Sequence, residues 1–160
     1  MAMVPYIRKY DYFEGSDIIH RAADICISGN IPKDHGTGEL YTSSELHMLK
    51  YIVEHPGITA TETAHDWNKT RGAATQMLLK LERKGLLFRW QEKYNNKKVL
   101  YSPTEKGLFV HEKHREYDTL YFGQTYEKLV SQFSEKAVET ALEVIRAYGE
   151  ILKENDRSKP

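Results

Sequence analysis

Three hydroxyl-x-x-Glu stretches constrain the fold of this chain more than any other feature: Thr42-Ser43-Ser44-Glu45, Thr59-Ala60-Thr61-Glu62 and Ser102-Pro103-Thr104-Glu105. In such a stretch the hydroxyl oxygen accepts from the third helical N–H while the glutamate reaches back to the cap's own N–H, so each predicts a helix start. Pro103 then falls at a first helical position, where no N–H is needed. The first of these helices buries Leu46, Leu49, Ile52 and Val53 and stops at His55-Pro56-Gly57. The second is short, from about Ala60 to Trp67. A third, startable at Thr70, runs to about Lys84 ahead of Gly85, with Ala74, Met77, Leu78 and Leu81 on one face.

After Gly85 the pattern changes to two short strand-like runs, Leu86 to Gln91 and Lys98 to Ser102. They are joined by Tyr94-Asn95-Asn96-Lys97, whose paired asparagines tolerate positive φ at a hairpin tip. From Pro103 onward the apolar spacing is helical, with a break expected at Gly123 and a final helix from about Ser134. Upstream, Ser16 to Ser28 reads as another helix, and Gly29 to Gly38 as a loop. The resulting fold class is mainly α (α+β): a winged helix-turn-helix with a two-stranded β-wing at 41–102, flanked by helical regions at 1–40 and 103–160 that serve dimerisation.

The chain of 160 residues has a formal charge of zero, but the charge is unevenly spread. Between Trp67 and Lys98 nine basic residues stand against two acidic ones, a net +7, whereas residues 1–66 carry −5 and residues 99–160 carry −2. A basic block between acidic flanks is an electrostatic footprint for a polyanion, and here it falls on the third helix and the hairpin. In a winged helix-turn-helix these elements meet the major groove and the neighbouring backbone or minor groove. The helix face opposite the apolar one carries Arg71, Gly72, Thr75, Gln76, Leu79 and Arg83. Arg71 suits guanine or phosphate, Gln76 adenine or phosphate, and Thr75 either; Gly72 allows close approach. Thr70 is the expected N-cap, Lys69 and Lys80 flank the groove, and Asn95, Asn96, Lys97 and Lys98 form the wing's contribution.

Several classes are set aside on composition. A single cysteine, Cys26, cannot form an intramolecular disulfide or a cysteine-rich zinc module. No apolar run approaches the roughly eighteen residues a bilayer span needs, and MAMVPYIRKY lacks a signal-peptide core, so a cytoplasmic location is expected. With no Gly-rich phosphate loop and no nucleophile motif, an enzyme is not expected. A winged helix used only for protein contact remains the alternative to a DNA-binding one.

Thr59 to Ala64, Lys69 to Thr75, Leu81-Glu82-Arg83-Lys84-Gly85-Leu86-Leu87 and Leu100 to Gly107, taken together and in this order, resemble the MarR family of bacterial transcriptional regulators. The likeness covers roughly Leu40 to His114. It implies a sequence-specific, effector-responsive regulator, a repressor by type. It also implies a homodimer with interlocked terminal helices, two winged domains on pseudo-palindromic double-stranded operator DNA, and effectors bound between the dimer helices and the DNA-binding domain. Two positions depart from the family pattern. Asn95-Asn96-Lys97 stands where an Asp-x-Arg motif is usual, so the wing lacks a planar guanidinium fork, and Gln76 stands where an arginine is frequent.

For the effector, His114 and Asp118 are one helical turn apart, a spacing that points both side chains the same way and suits zinc or another divalent first-row metal. Asp24, His47, His114 and Asp118 match ligand positions in the zinc-sensing adhesin-competence branch of the family, with Asp118 where that branch has a second histidine. A second site of that branch is not kept, since Lys113 and Leu46 replace its carboxylates; His35, Glu39, His111 and Glu112 are candidates for a different one. Cys26, with Tyr6, Tyr10, Tyr12 and Tyr41 near in sequence, raises peroxide sensing as a further option, against a plain buried thiol. A small aromatic acid is a third.

Overall fold

The computed structural model describes residues 9–92 and 95–157. In chain order these form α1 (Tyr12–Ser28), β1 (Lys33–Asp34), β2 (Leu40–Tyr41), α2 (Ser43–Glu54), α3 (Ala60–Asp66), α4 (Arg71–Arg83), β3 (Leu87–Glu92), β4 (Asn95–Pro103), α5 (Glu105–Gln132) and α6 (Glu135–Arg157). The predicted order of helix, short helix, helix and hairpin is therefore present as α2, α3, α4 and the antiparallel β3–β4 pair.

Local hydrogen bonding explains the boundaries. Thr42 with Glu45 and Thr59 with Glu62 form complete reciprocal capping boxes at α2 and α3. The Thr70 hydroxyl accepts from the Ala73 N–H at 3.1 Å to open α4. That helix closes on Gly85 at φ 73°, where the Gly85 N–H donates to the Glu82 carbonyl and the Leu86 N–H to that of Leu81. This paired 5→2 and 6→1 pattern is the Schellman arrangement, which needs a left-handed residue that glycine supplies without strain.

Several expectations are corrected. Ser102 is not a cap: it lies in β4 opposite Phe88, its hydroxyl accepts from Trp90 Nε1, and Pro103 ends the strand. The cap of α5 is Thr104, whose hydroxyl accepts from the Gly107 N–H and donates to the Gly85 carbonyl. Tertiary pairing with the end of α4 thus outweighs the local proline signal. Gly123 does not break α5, which is continuous over 28 residues. The first helix starts four residues earlier than read, at Tyr12, because Asp11 and Glu14 form a capping box with Asp instead of a hydroxyl residue. Asn95 and Asn96 belong to the backbone of β4, not to the connecting turn, with Asn95 paired to Glu92. The stretch 29–38 contains β1, which pairs with β2 in a small antiparallel hairpin, its turn held by the Asp34 carboxylate accepting from the backbone N–H groups of Gly36, Thr37 and Gly38.

The core joins Leu46, Met48, Leu49 and Ile52 of α2 to Leu78 and Leu81 of α4, with Tyr41, Ile58, Leu86, Leu87, Tyr101 and Val110 closing it. Val53, expected inside, is only partly buried at its margin. Gly107 marks the tightest junction: a Cβ there would lie 2.1 Å from the Leu86 carbonyl oxygen, so α5 leaves the wing in backbone contact with the end of α4. By contrast α1 buries no residue, and Ile18, Ile25 and Ile27 on α1, Leu120 and Leu129 on α5, and Val144, Ile145 and Ile151 on α6 are exposed.

Candidate nucleic-acid interface and histidine cluster

The N-terminal turns of α4 face a groove of about 490 Å³ walled by the start of α3 and by the wing. Arg71, Thr75 and Leu79 of α4 line it with Thr59 and Thr61 on one side and Arg89, Lys98 and Tyr101 on the other. Leu79 therefore packs sideways into the groove wall and is half buried. Arg71, Gly72 and Gln76 are exposed, as are Lys69 and Thr70. The Thr75 hydroxyl donates to the Arg71 carbonyl at 2.8 Å, which leaves its oxygen lone pairs for a partner. Three cations, Arg71, Arg89 and Lys98, thus converge on one concave surface, a distribution that raises the local concentration of phosphate oxygens.

Arg89 was absent from the expected contact set although it belongs to the basic block. The strand alternation that sends it to the groove side was the signal that reveals it, and Glu82 holds its Nε at 3.2 Å. Lys80 takes a different place from the one expected: its ammonium pairs with Glu45 at 3.1 Å, on the side of α4 turned to α2. The side chains of Asn95, Asn96 and Lys97 lie outside the described residues.

Where α2 meets α5, three of the four expected metal ligands come together. One ligand atom each from His47, His114 and Asp118 lies within 4.8 Å of the others. The His114 Nε2 to Asp118 Oδ2 distance is 3.3 Å, without hydrogen-bond alignment, and the His47 and His114 rings are 5.3 Å apart. His114 is 3% exposed with neither ring nitrogen hydrogen-bonded. Burial pushes its pKa down to about 4; Asp118 opposes this, while His47, His35 and His111 add to it. At neutral pH the ring is therefore uncharged, the form that binds a metal. Two imidazoles and a carboxylate with unpartnered nitrogens suit a divalent first-row ion, zinc above all.

Asp24 is exposed on α1 and does not join this group. The alternative second site is not assembled either. The Glu39 carboxylate is engaged by Lys106 at 2.8 Å and by the Tyr41 hydroxyl at 2.6 Å, and Glu112 pairs with Arg115. His111 lines the same small groove as His47 and His114, and His35 packs its ring against His114 instead of Glu39 or Glu112. Cys26 is exposed on α1, not a buried thiol, while Tyr41 is buried in the winged-domain core beneath Lys84; Tyr6 lies outside the described residues.

No family model matches the chain. An uncharacterised HTH-type transcriptional regulator of Bacillus subtilis, YhjH, is 30% identical over 84 residues, 52% of this chain and 48% of that protein, so the chain spans about half the length of the curated relative it matches. Among solved structures, Streptococcus pneumoniae FabT in complex with DNA superposes with a TM-score of 0.68 at 20% identity, covering 90% of this chain and 99% of that one. Lactococcus lactis ZitR, described as a zinc-responsive MarR family member, superposes with a TM-score of 0.59 at 19% identity, covering 88% and 99%. These likenesses establish the fold.

Proposed function

We propose that this chain, which has the winged-helix fold of the MarR-family transcriptional regulators, is a homodimeric DNA-binding regulator that represses its operator and responds to a divalent metal. The observation that carries the reading is the convergence of Arg71, Arg89 and Lys98 on the groove between the N-terminal turns of α4 and the wing. Cations so placed bind phosphates while Thr75 and Gln76 remain available to base edges. The exposed apolar residues of α1, α5 and α6 supply the faces a second copy would cover, and two copies would present two α4 helices to successive major grooves. The FabT complex shows one protein of this fold on DNA.

The metal reading rests on His47, His114 and Asp118 and on the unpartnered nitrogens of His114. A bound ion would supply charge and a bond between α2 of the winged domain and α5, favouring whichever spacing of the two satisfies all ligands.

Gel shifts on the chain's own upstream intergenic DNA across a salt series test the DNA reading. Affinity should fall steeply as salt rises, because phosphate contacts release counterions. Arg71→Ala and Lys97→Ala should each weaken the complex. A salt-insensitive complex, or none at low salt, overturns the reading and favours a module for protein contact.

A further inference from the structure

One buried side chain beside the histidine cluster has no hydrogen-bond partner and no role in the interface. His35, between β1 and the turn of the β1–β2 hairpin, is 5% exposed, and neither of its ring nitrogens is hydrogen-bonded. Its ring stands nearly perpendicular to that of His114, 5.2 Å centre to centre, and packs on Tyr117 at 4.3 Å.

Burying a polar ring without partners forfeits its hydration with nothing in return, and such groups are uncommon unless an ion or ordered water completes them. The chemistry of the neighbours favours an ion: His47, His114 and Asp118 offer three donors within 4.8 Å of one another, zinc in closed sites takes four, and His35 stands outside that group but against it, its ring on that of His114. We infer that His35 is the fourth protein ligand of a divalent-metal site formed with His47, His114 and Asp118, in the place the family resemblance gave to Asp24, and that metal binding fastens the β1–β2 hairpin to α5. This rests on the metal-responsive reading above and adds its ligand set and the element that moves.

The hairpin is well placed to report such a bond. Its far strand ends at Tyr41, one residue before the cap of α2, and the Leu40 carbonyl accepts from the Lys84 ammonium at the end of α4. Metal at His35 therefore loads a segment that touches the DNA-facing helix directly.

The test uses the purified full chain with zinc alone as probe, its affinity measured by competition with a chromophoric chelator. His35→Ala should weaken zinc binding at least about 10-fold, since even partners of ligands cost that much, and Asp24→Ala should leave it unchanged. A His35→Cys variant loaded with Co(II) should gain a thiolate-to-metal charge-transfer band absent from the wild type. That signature reports contact at position 35 even where the substitution perturbs the hairpin. Wild-type zinc affinity in His35→Ala with no new band for His35→Cys overturns the inference alone, leaving the ring an edge-to-face packing group. Loss of affinity in Asp24→Ala with His35→Ala unaffected overturns it in favour of α1. A wild type that binds DNA normally but holds no zinc overturns the metal reading and this inference together.

Discussion

Lys84, the C-cap of α4, sets its ammonium 2.8 Å from the carboxylate of Glu45, which is buried at the first turn of α2. The same carboxylate also accepts from the Thr42 N–H, so one side chain caps α2 and anchors the end of α4. Replacing it by Gln removes the charge but not the shape. Glu45→Gln should cost about 1–3 kcal/mol, below the usual range for a fully buried pair because Lys84 keeps some solvent contact, as read by urea denaturation.

Glu45 also predicts an acid response. Burial pushes its pKa up, but hydrogen bonds from Lys84, the Thr42 N–H and Lys80 outweigh it, and the net value lies below the ordinary 4.5. A group depressed in the folded state contributes stability that is complete above its unfolded pKa and is lost as pH falls through the lower folded value. Denaturation midpoints measured from pH 6 down to about pH 3 should therefore fall less in Glu45→Gln than in wild type. Equal slopes would show that the carboxylate is not the titrating anchor.

Gly107→Ala should lower stability by about 1–3 kcal/mol or more, because the added methyl meets the Leu86 carbonyl oxygen, a backbone atom that cannot rotate away. Thermal unfolding checks this. Gly72→Ala, with open space around its Cβ position, should instead raise stability by roughly 0.5–1 kcal/mol while crowding the approach to DNA.

Arg89→Ala should weaken DNA binding and reduce the slope of log affinity against log salt by about 1, as for one lost phosphate contact. Lys80→Ala should change that slope far less, since its ammonium is committed to Glu45. Fluorescence anisotropy across a salt series separates the two.

Ile145→Asp on α6 should shift the chain from dimer to monomer in sedimentation equilibrium and leave the winged-domain core folded, since Ile145 is 66% exposed in the single chain. An unchanged sedimentation profile would place the dimer contact elsewhere.

The parts legible in the sequence were those written in local hydrogen bonding and apolar spacing. The caps at Thr42, Thr59 and Thr70, the stop at Gly85 and the order of α2, α3, α4 and wing all follow from neighbours within a turn or two. Ser102 failed because its hydroxyl has a cross-strand partner, Trp90, that no local rule supplies. Lys80 failed for the same reason, its partner being 35 positions away. Within the cluster, the one-turn spacing of His114 and Asp118 was readable, and the resemblance placed His47 beside them. His35 was read toward a separate site with Glu39, His111 and Glu112, because a residue in an irregular hairpin has no periodicity to say where it points.

The unbroken course of α5 has a mechanical consequence. At about 1.5 Å per residue, 28 residues make a rod about 42 Å long, comparable to the roughly 34 Å between successive major grooves on one side of a duplex. His47 of α2 meets this rod at His114, about a third of the way from its wing end, so the histidine cluster sits toward the short arm of a lever whose long arm is α5 beyond Asp118. A tilt of only about 5° about that point displaces the far end of α5, about 27 Å away, by about 2 Å.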